Sequence, residues 1–441
     1  MIEKTRLQRI SSLAIPIIGG MMSQNILNLV DTYMVGFLGD AALAAVGLGG
    51  FANFMCQAII LGISVGVQAT AARRKGEGRH DETAAPLNAA LLVVLVSGLV
   101  LSVVLFFLAP LFYPYLNGDP EVIEVGVPYL QSRIAAIVFV GINFSFRGYW
   151  NGTDRPWLYM QTLIAMHATN IVLNYMLIFG NWGAPELGVL GAGMATSIST
   201  AIGTMIYFGL GFVYARENGF FKSMPTRDGI VRLIKLSIPN SIQQLFFSAG
   251  FTATYWIIGK VGTAELAAAS VLLNITMVAY LPALALGLSS STLVGQALGR
   301  NEPNDAHRWG WDVSIVGAIG IGLIGLPMVF MAEWMLSIFL HEPATVALGV
   351  WPLRLVGISI SIDAIGMILM HSLLGSGATK WVMRVSVGLQ WGFFLPMAFL
   401  LGPVLGYGLL SIWLLQTGYR GVQAVIFMML WNGKSWVGIK V

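Results

Sequence analysis

Two carboxylic acids in this chain stand where the sequence leaves them little water. Asp31 and Asp363 lie well inside apolar segments, whereas most other acids fall in loops and Asp312 sits close enough to a segment end to reach an interface. A carboxylate at that depth is costly unless it is paired, wet or protonated, so each is a candidate for function. Asp363 also has a plainer reading, as a satisfied polar group near Gln390 of the following segment or at the outer end of its own helix. Around Asp31 the case is stronger. Gln24, Asn28 and Asp31 are spaced i, i+4, i+7 and share one helical face, a stripe that cannot face lipid and is expected to line a cavity. His167, Asn170 and Asn174 repeat the arrangement at i, i+3, i+7. If the two stripes meet, the carboxamides hydrogen-bond one protonation state of Asp31 and select it, which is the chemistry of reversible proton loading. Amide oxygens also suit a hard cation such as Na⁺, but a single carboxylate favours H⁺. His167 reads more readily as a packing histidine than as a proton carrier. Pro16, fifteen residues before Asp31, gives the same segment a point at which to bend.

The elements that must position these groups are membrane helices. Of 441 residues 56% are hydrophobic and 10% charged, against roughly 25% charged in a soluble domain. The apolar runs are about 20 to 28 residues long, which fits spanning helices and not the roughly 10-residue alternating strands of a barrel. The 52 glycines suit helices that approach closely in lipid. Cys56 is the single cysteine, so no disulfide framework exists. The basic amino terminus resembles a signal peptide, but the segment behind it is too long and contains Asp31, so it is read as the first span.

Apolar runs between polar breaks predict twelve spans, near 13–37, 45–70, 86–114, 125–148, 157–180, 187–214, 229–258, 264–298, 306–334, 347–372, 381–402 and 406–430. With both termini cytoplasmic, 21 of the 24 Lys and Arg residues, Arg420 and Lys440 among them, fall on the inner side; only Arg133, Lys260 and Arg354 lie near the outer face. The basic excess therefore belongs to loops and implies no nucleic-acid partner. The longest polar connection divides the chain into lobes 1–215 and 229–441, joined by a linker at 216–228. The halves resemble each other: Pro16, Gly36, Gly39 and Gly76 fall on Pro239, Gly259, Gly262 and Gly299 at a shift of 223, and Asn151–Arg155 fall on Ser376–Lys380 at a shift of 225. The expected fold is an all-α integral membrane protein, twelve transmembrane helices in two pseudo-symmetric six-helix bundles. Such parallel repeats suit alternating access. Neither a phosphate-binding glycine loop, nor metal-ligand spacing, nor a Ser/His/Asp arrangement is present, so no enzyme chemistry and no cofactor beyond a coupling ion is expected. Met and aromatic side chains lining a cleft would make an adaptable surface for flat, apolar, cationic molecules.

Pro16 with the run Asp31-Thr-Tyr-Met-Val-Gly-Phe-Leu-Gly-Asp, the segment Phe146-Arg-Gly-Tyr-Trp-Asn-Gly-Thr-Asp-Arg155, Gly191-Ala-Gly-Met-Ala-Thr-Ser197 and Leu293-Val-Gly-Gln-Ala-Leu-Gly299 together resemble the multidrug and toxic compound extrusion (MATE) transporters. The resemblance covers essentially the whole chain. It implies efflux of cationic or amphipathic compounds driven by H⁺ or Na⁺. Asp31, Asn170 and Asn174, with Thr196 of the sixth helix, match the amino-lobe cation site of the branch named after the DNA-damage-inducible protein F (DinF), in which protonation of the aspartate is linked to bending of the first helix near its proline. Another branch relies on a glutamate in the seventh helix and an aspartate in the tenth. Asp363 fits the latter, but Ser248 stands at the former, with Gln243 and Gln244 nearby, so the second-lobe site is incomplete.

The reading is a drug/H⁺ antiporter of a bacterial-type inner membrane, with Asp31, Asn170, Asn174 and Thr196 coupling the proton and Pro16, Gln24, Asn28, His167 and Asp363 in cleft or conformational roles. Its expected partners are small cationic or amphipathic molecules and membrane lipids, and self-contained halves permit a monomer. A Na⁺-coupled antiporter, a flippase for a lipid-linked precursor and a receptor or scaffold are the alternatives; the flippase would favour a basic groove, and the scaffold no ion dependence.

Overall fold

A computed structural model describes residues 2–439. Among them every regular element is helical, as lipid demands of a chain whose backbone groups must be satisfied within each segment. The helices of the first half are α1 (Lys4–Gly36), α2 (Asp40–Leu61), α3 (Ile63–Gly76), α4 (Ala85–Phe112), α5 (Pro120–Ala135), α6 (Ile137–Gly152), α7 (Pro156–Phe179) and α8 (Gly188–Tyr214). The second half comprises α9 (Arg227–Val261), α10 (Thr263–Gly299), α11 (Pro303–Phe330), a six-residue α12 (Ala332–Ser337), α13 (Pro343–Ser376), α14 (Thr379–Leu389), α15 (Leu395–Phe399) and α16 (Gly408–Asn432). Two π-helical turns, Gln390–Phe394 and Leu400–Val404, directly follow α14 and α15.

Nine of the described helical segments are long and apolar enough to cross a membrane, and α5 with α6, bent by 46°, makes a tenth. The other two long helices complete the twelve of this architecture. They are less apolar for identifiable reasons: α9 opens with Arg227, Asp228, Arg232 and Lys235, and α16 carries Arg420 between two glutamines, Gln416 and Gln423. The protein is thus a multi-pass, all-α membrane protein.

The repeat is visible in the backbone. Past the end of α6, Asp154 adopts a left-handed φ of 63°; past the end of α13, Gly377 does so at 93°. The N–H of Arg155 donates to the Trp150 carbonyl and that of Ala378 to the Leu373 carbonyl, so the two closures stand 223 residues apart. Gly78 and Asn301, with φ of 77° and 60°, close α3 and α10 at the same interval. The later match, expected at a shift of 225, is corrected to 223: the chemical likeness of Gly152 to Gly377 misaligned a turn that the backbone aligns through Asp154. Close packing follows the same register. A Cβ on Gly152 would lie 2.7 Å from the Gln68 carbonyl oxygen, and one on Gly375 would lie 2.3 Å from that of Ser291.

The chain forms two compact units, Pro16–Ser241 and Met1–Ile15 with Ile242–Val441. This division differs from the lobes expected at 1–215 and 229–441. The opening turns of α1 pack with the second half, where Arg6 donates through Nη1 to Asp305 (2.6 Å) and through Nε to Asp312 (2.5 Å) while lying over the Trp309 ring at 3.6 Å. Arg9 adds a bond to Gln296 at 2.6 Å. Correspondingly, Leu233 and Ser237 of α9 pack against Gly66 in the first half. The breaks fall at or just after Pro16 and Pro239, whose rings remove one helical N–H donor each. Lys440, counted with the basic loop residues, lies outside the described residues.

Candidate functional site

Within Pro16–Ser241, the two polar stripes meet. Asn174 Nδ2 donates to Asp31 Oδ1 at 2.6 Å and lies 3.0 Å from Asn170 Oδ1; Asn170 in turn lies 3.1 Å from Thr196 Oγ1. Helical spacing explains the convergence: Asn170 and Asn174 are one turn apart on α7, Thr196 faces them from α8, and Asp31 comes from the last third of α1. Both asparagines are almost wholly buried, and the Oδ1 of Asn174 has no hydrogen-bond partner. The Asn170 amide is better served in the reversed orientation, which brings its nitrogen within 3.0 Å of Asp31 Oδ1 and its oxygen within 3.1 Å of Thr196 Oγ1. In the reversed orientation both amides converge on a single carboxylate oxygen.

Three further predicted residues form a second chain toward the other end of the stripe. His167 Nε2 meets Gln24 Oε1 at 3.1 Å, and Gln24 Nε2 donates to Asn28 Oδ1 at 3.2 Å. The other ring nitrogen of His167 is bonded to Ser23 Oγ at 3.0 Å. With both nitrogens engaged, His167 ties α7 to α1 and does not touch Asp31. Ser23 and Ser199, which approaches Asn170 Nδ2 at 3.5 Å, were not singled out in the sequence. The signal for Ser199 was there, one helical turn after Thr196.

Asp363 lies elsewhere, in the unit containing the second half. It receives a 3.0 Å hydrogen bond from Arg420 Nε, and both side chains line a cavity with Gln243, Gln244, Tyr280 and Gln390. This corrects the placement of Arg420. Counted among the cytoplasmic loop residues, it stands in the middle of α16, where an acid on α13 neutralises it. Asp363 is therefore a paired acid. Ser248, at the position lacking the seventh-helix acid, is buried with no partner for its hydroxyl.

This fold and these motifs define a class of membrane transporter. The MatE family model matches residues 16–176 and 239–400, two stretches displaced by the register of the internal repeat, and the chain belongs to that family. Members are transporters and not enzymes. Among individual proteins, the chain is 25% identical over 421 residues to the probable multidrug resistance protein NorM of Thermotoga maritima, covering 91% of this chain and 87% of the relative. It is 28% identical over 435 residues to the probable multidrug resistance protein YoeA of Bacillus subtilis, covering 95% and 91%. In three dimensions it resembles an outward-facing multidrug resistance MATE transporter of the MOP superfamily, with a TM-score of 0.89 at 19% identity over 99% of this chain and 97% of the other.

Proposed function

We propose that this protein is a secondary active efflux transporter that exports small cationic or amphipathic drug-like compounds in exchange for H⁺ by alternating access, as a bacterial inner-membrane protein with both termini cytoplasmic. Membership of the MatE family and the multidrug-resistance names of its relatives support the efflux reading. The observation that carries proton coupling is the orphaned Asn174 Oδ1 beside a 2.6 Å contact with Asp31. With Asp31 ionised, Asn174 Nδ2 serves the carboxylate and leaves its own oxygen unmatched. A protonated Asp31 becomes a donor. Turning the Asn174 amide then presents its oxygen to the carboxyl O–H and to Asn170 in its reversed orientation, so that a proton on Asp31 rearranges three side chains on α1 and α7. Pro16 lies on the same helix and supplies its point of least backbone restraint.

The test is export of a fluorescent cationic dye from proteoliposomes with a pH gradient and a Na⁺ gradient imposed separately, on wild type and Asp31→Asn. Transport driven by the pH gradient alone and abolished in a folded Asp31→Asn protein is the expected result. Transport that follows Na⁺ would assign the oxygens of this cluster to a cation instead, and dye movement indifferent to both gradients would favour the lipid-linked precursor flippase.

A further inference from the structure

In the unit containing the second half, α12 lies between the end of α11 and the start of α13 and floors a cavity of about 980 Å³. Its ionisable lining consists of Glu333, His341 and Arg354. Arg354 Nε is buried without a hydrogen-bond partner, and the guanidinium contact among the described residues is the face of Trp351, 5.2 Å from the ring centroid. A buried guanidinium Nε with no acceptor, on a half-buried arginine lining a cavity, calls for an oxyanion.

The surface around the cavity says where that oxyanion comes from. Ile315, Ile319 and Leu323 form an exposed apolar stripe up α11 that ends at Phe330, while Ile362 and Ile358 form one on α13 that ends at Trp351. Such stripes face acyl chains, and aromatic residues at their ends mark the headgroup level. Trp334 of α12 stands at the same rim, 59% exposed. The cavity thus opens at the membrane interface, beside lipid.

We infer that this cavity is a binding site for a zwitterionic phospholipid, its phosphate on Arg354, its ammonium facing Glu333 and the Trp334 ring, and its acyl chains along the stripes of α11 and α13. Charge complementarity selects this occupant. Arg354 and Glu333 line one cavity without pairing with each other, so a purely anionic headgroup satisfies the first and is repelled by the second. A bound lipid would tie α12 to α13, holding a helix too short to be stable alone.

The purified, delipidated full chain in mild detergent is titrated with dioleoyl phosphatidylethanolamine, dioleoyl phosphatidylglycerol or inorganic phosphate, and the bound fraction is read by native mass spectrometry. Wild type should retain the ethanolamine lipid in preference to the glycerol lipid, and Arg354→Gln should weaken that binding roughly tenfold or more. Glu333→Gln, at an exposed position, should shift the preference toward the glycerol lipid. Equal retention of both lipids by wild type and both variants overturns the inference, as does displacement of the lipid by inorganic phosphate at comparable concentration, which would mark a free-anion site. Should Arg354→Gln not fold, an unchanged lipid preference in Glu333→Gln is sufficient to reject it. The outcome is independent of whether the protein exports drugs.

Discussion

Asp31 and Asp363 begin with the same problem, a carboxylate among apolar residues, and meet it differently. Asp31 is met by the neutral amide of Asn174, whereas Asp363 is met by the guanidinium of Arg420. The proton coupling proposed above therefore falls to the acid that has no ion-pair partner among the described residues, and the paired acid is read as structural. Replacing Asn174 by Leu removes the donor at 2.6 Å, and since hydrogen bonds to a charged group contribute about 1.5–3 kcal/mol, proton-driven dye export should fall roughly tenfold or more. Export above half the wild-type rate would count against the amide's role. For Asp363 the expected effect is on stability. Asp363→Ala leaves Arg420 unpaired at depth and should cost about 3–5 kcal/mol, lowering the thermal midpoint of the purified protein, whereas Asp363→Leu combined with Arg420→Met should recover most of the loss. A double variant no more stable than the single one would show that the pair is not the source of the cost.

At the scale of elements, the first helix is divided in its allegiance. Its opening turns are held by Arg6, which is locked between Asp305, Asp312 and Trp309 of α11, and its remainder carries Asp31. Arg6 is 8% exposed and Asp312 likewise, so Arg6→Ala leaves a buried carboxylate with only the longer 3.9 Å approach of Arg308 and should lower the unfolding midpoint, by up to about 3–5 kcal/mol of stability. The exposed pair of Arg308 with Glu3 is the control: solvent screens it, so Glu3→Ala should leave the unfolding midpoint essentially unchanged. An equal loss in the two variants would mean that burial does not decide the strength of these pairs.

At the scale of the whole molecule, the duplication makes a prediction in pairs. Gly152 and Gly375 stand 223 residues apart and each meets a carbonyl oxygen, of Gln68 and Ser291 respectively, closer than any Cβ tolerates. Alanine at either site should reduce the yield of folded protein, while Gly209→Ala, with nothing within 4 Å, should be neutral or stabilising by about 0.5–1 kcal/mol. A fluorescence size-exclusion comparison of the three variants decides it; tolerance at Gly375 alone would mean that the halves no longer pack alike.

What the sequence by itself determined is whatever lipid and helical geometry impose locally. The spans were legible because a bilayer demands long apolar runs, the stripes on α1 and α7 because a helix fixes which residues share a face, and the duplication because Pro16 and Pro239 open equivalent segments. The tertiary structure decided what depends on partners distant in the chain. Arg420 read as a loop cation because charge counting along the chain cannot see Asp363 waiting 57 residues away, and the opening turns of α1 read as part of the first lobe because nothing near Arg6 reveals Asp305 and Asp312. The shift of 225 failed for a related reason: two glycines match by identity, but a left-handed φ, which Asp154 also adopts, is a property of the folded turn.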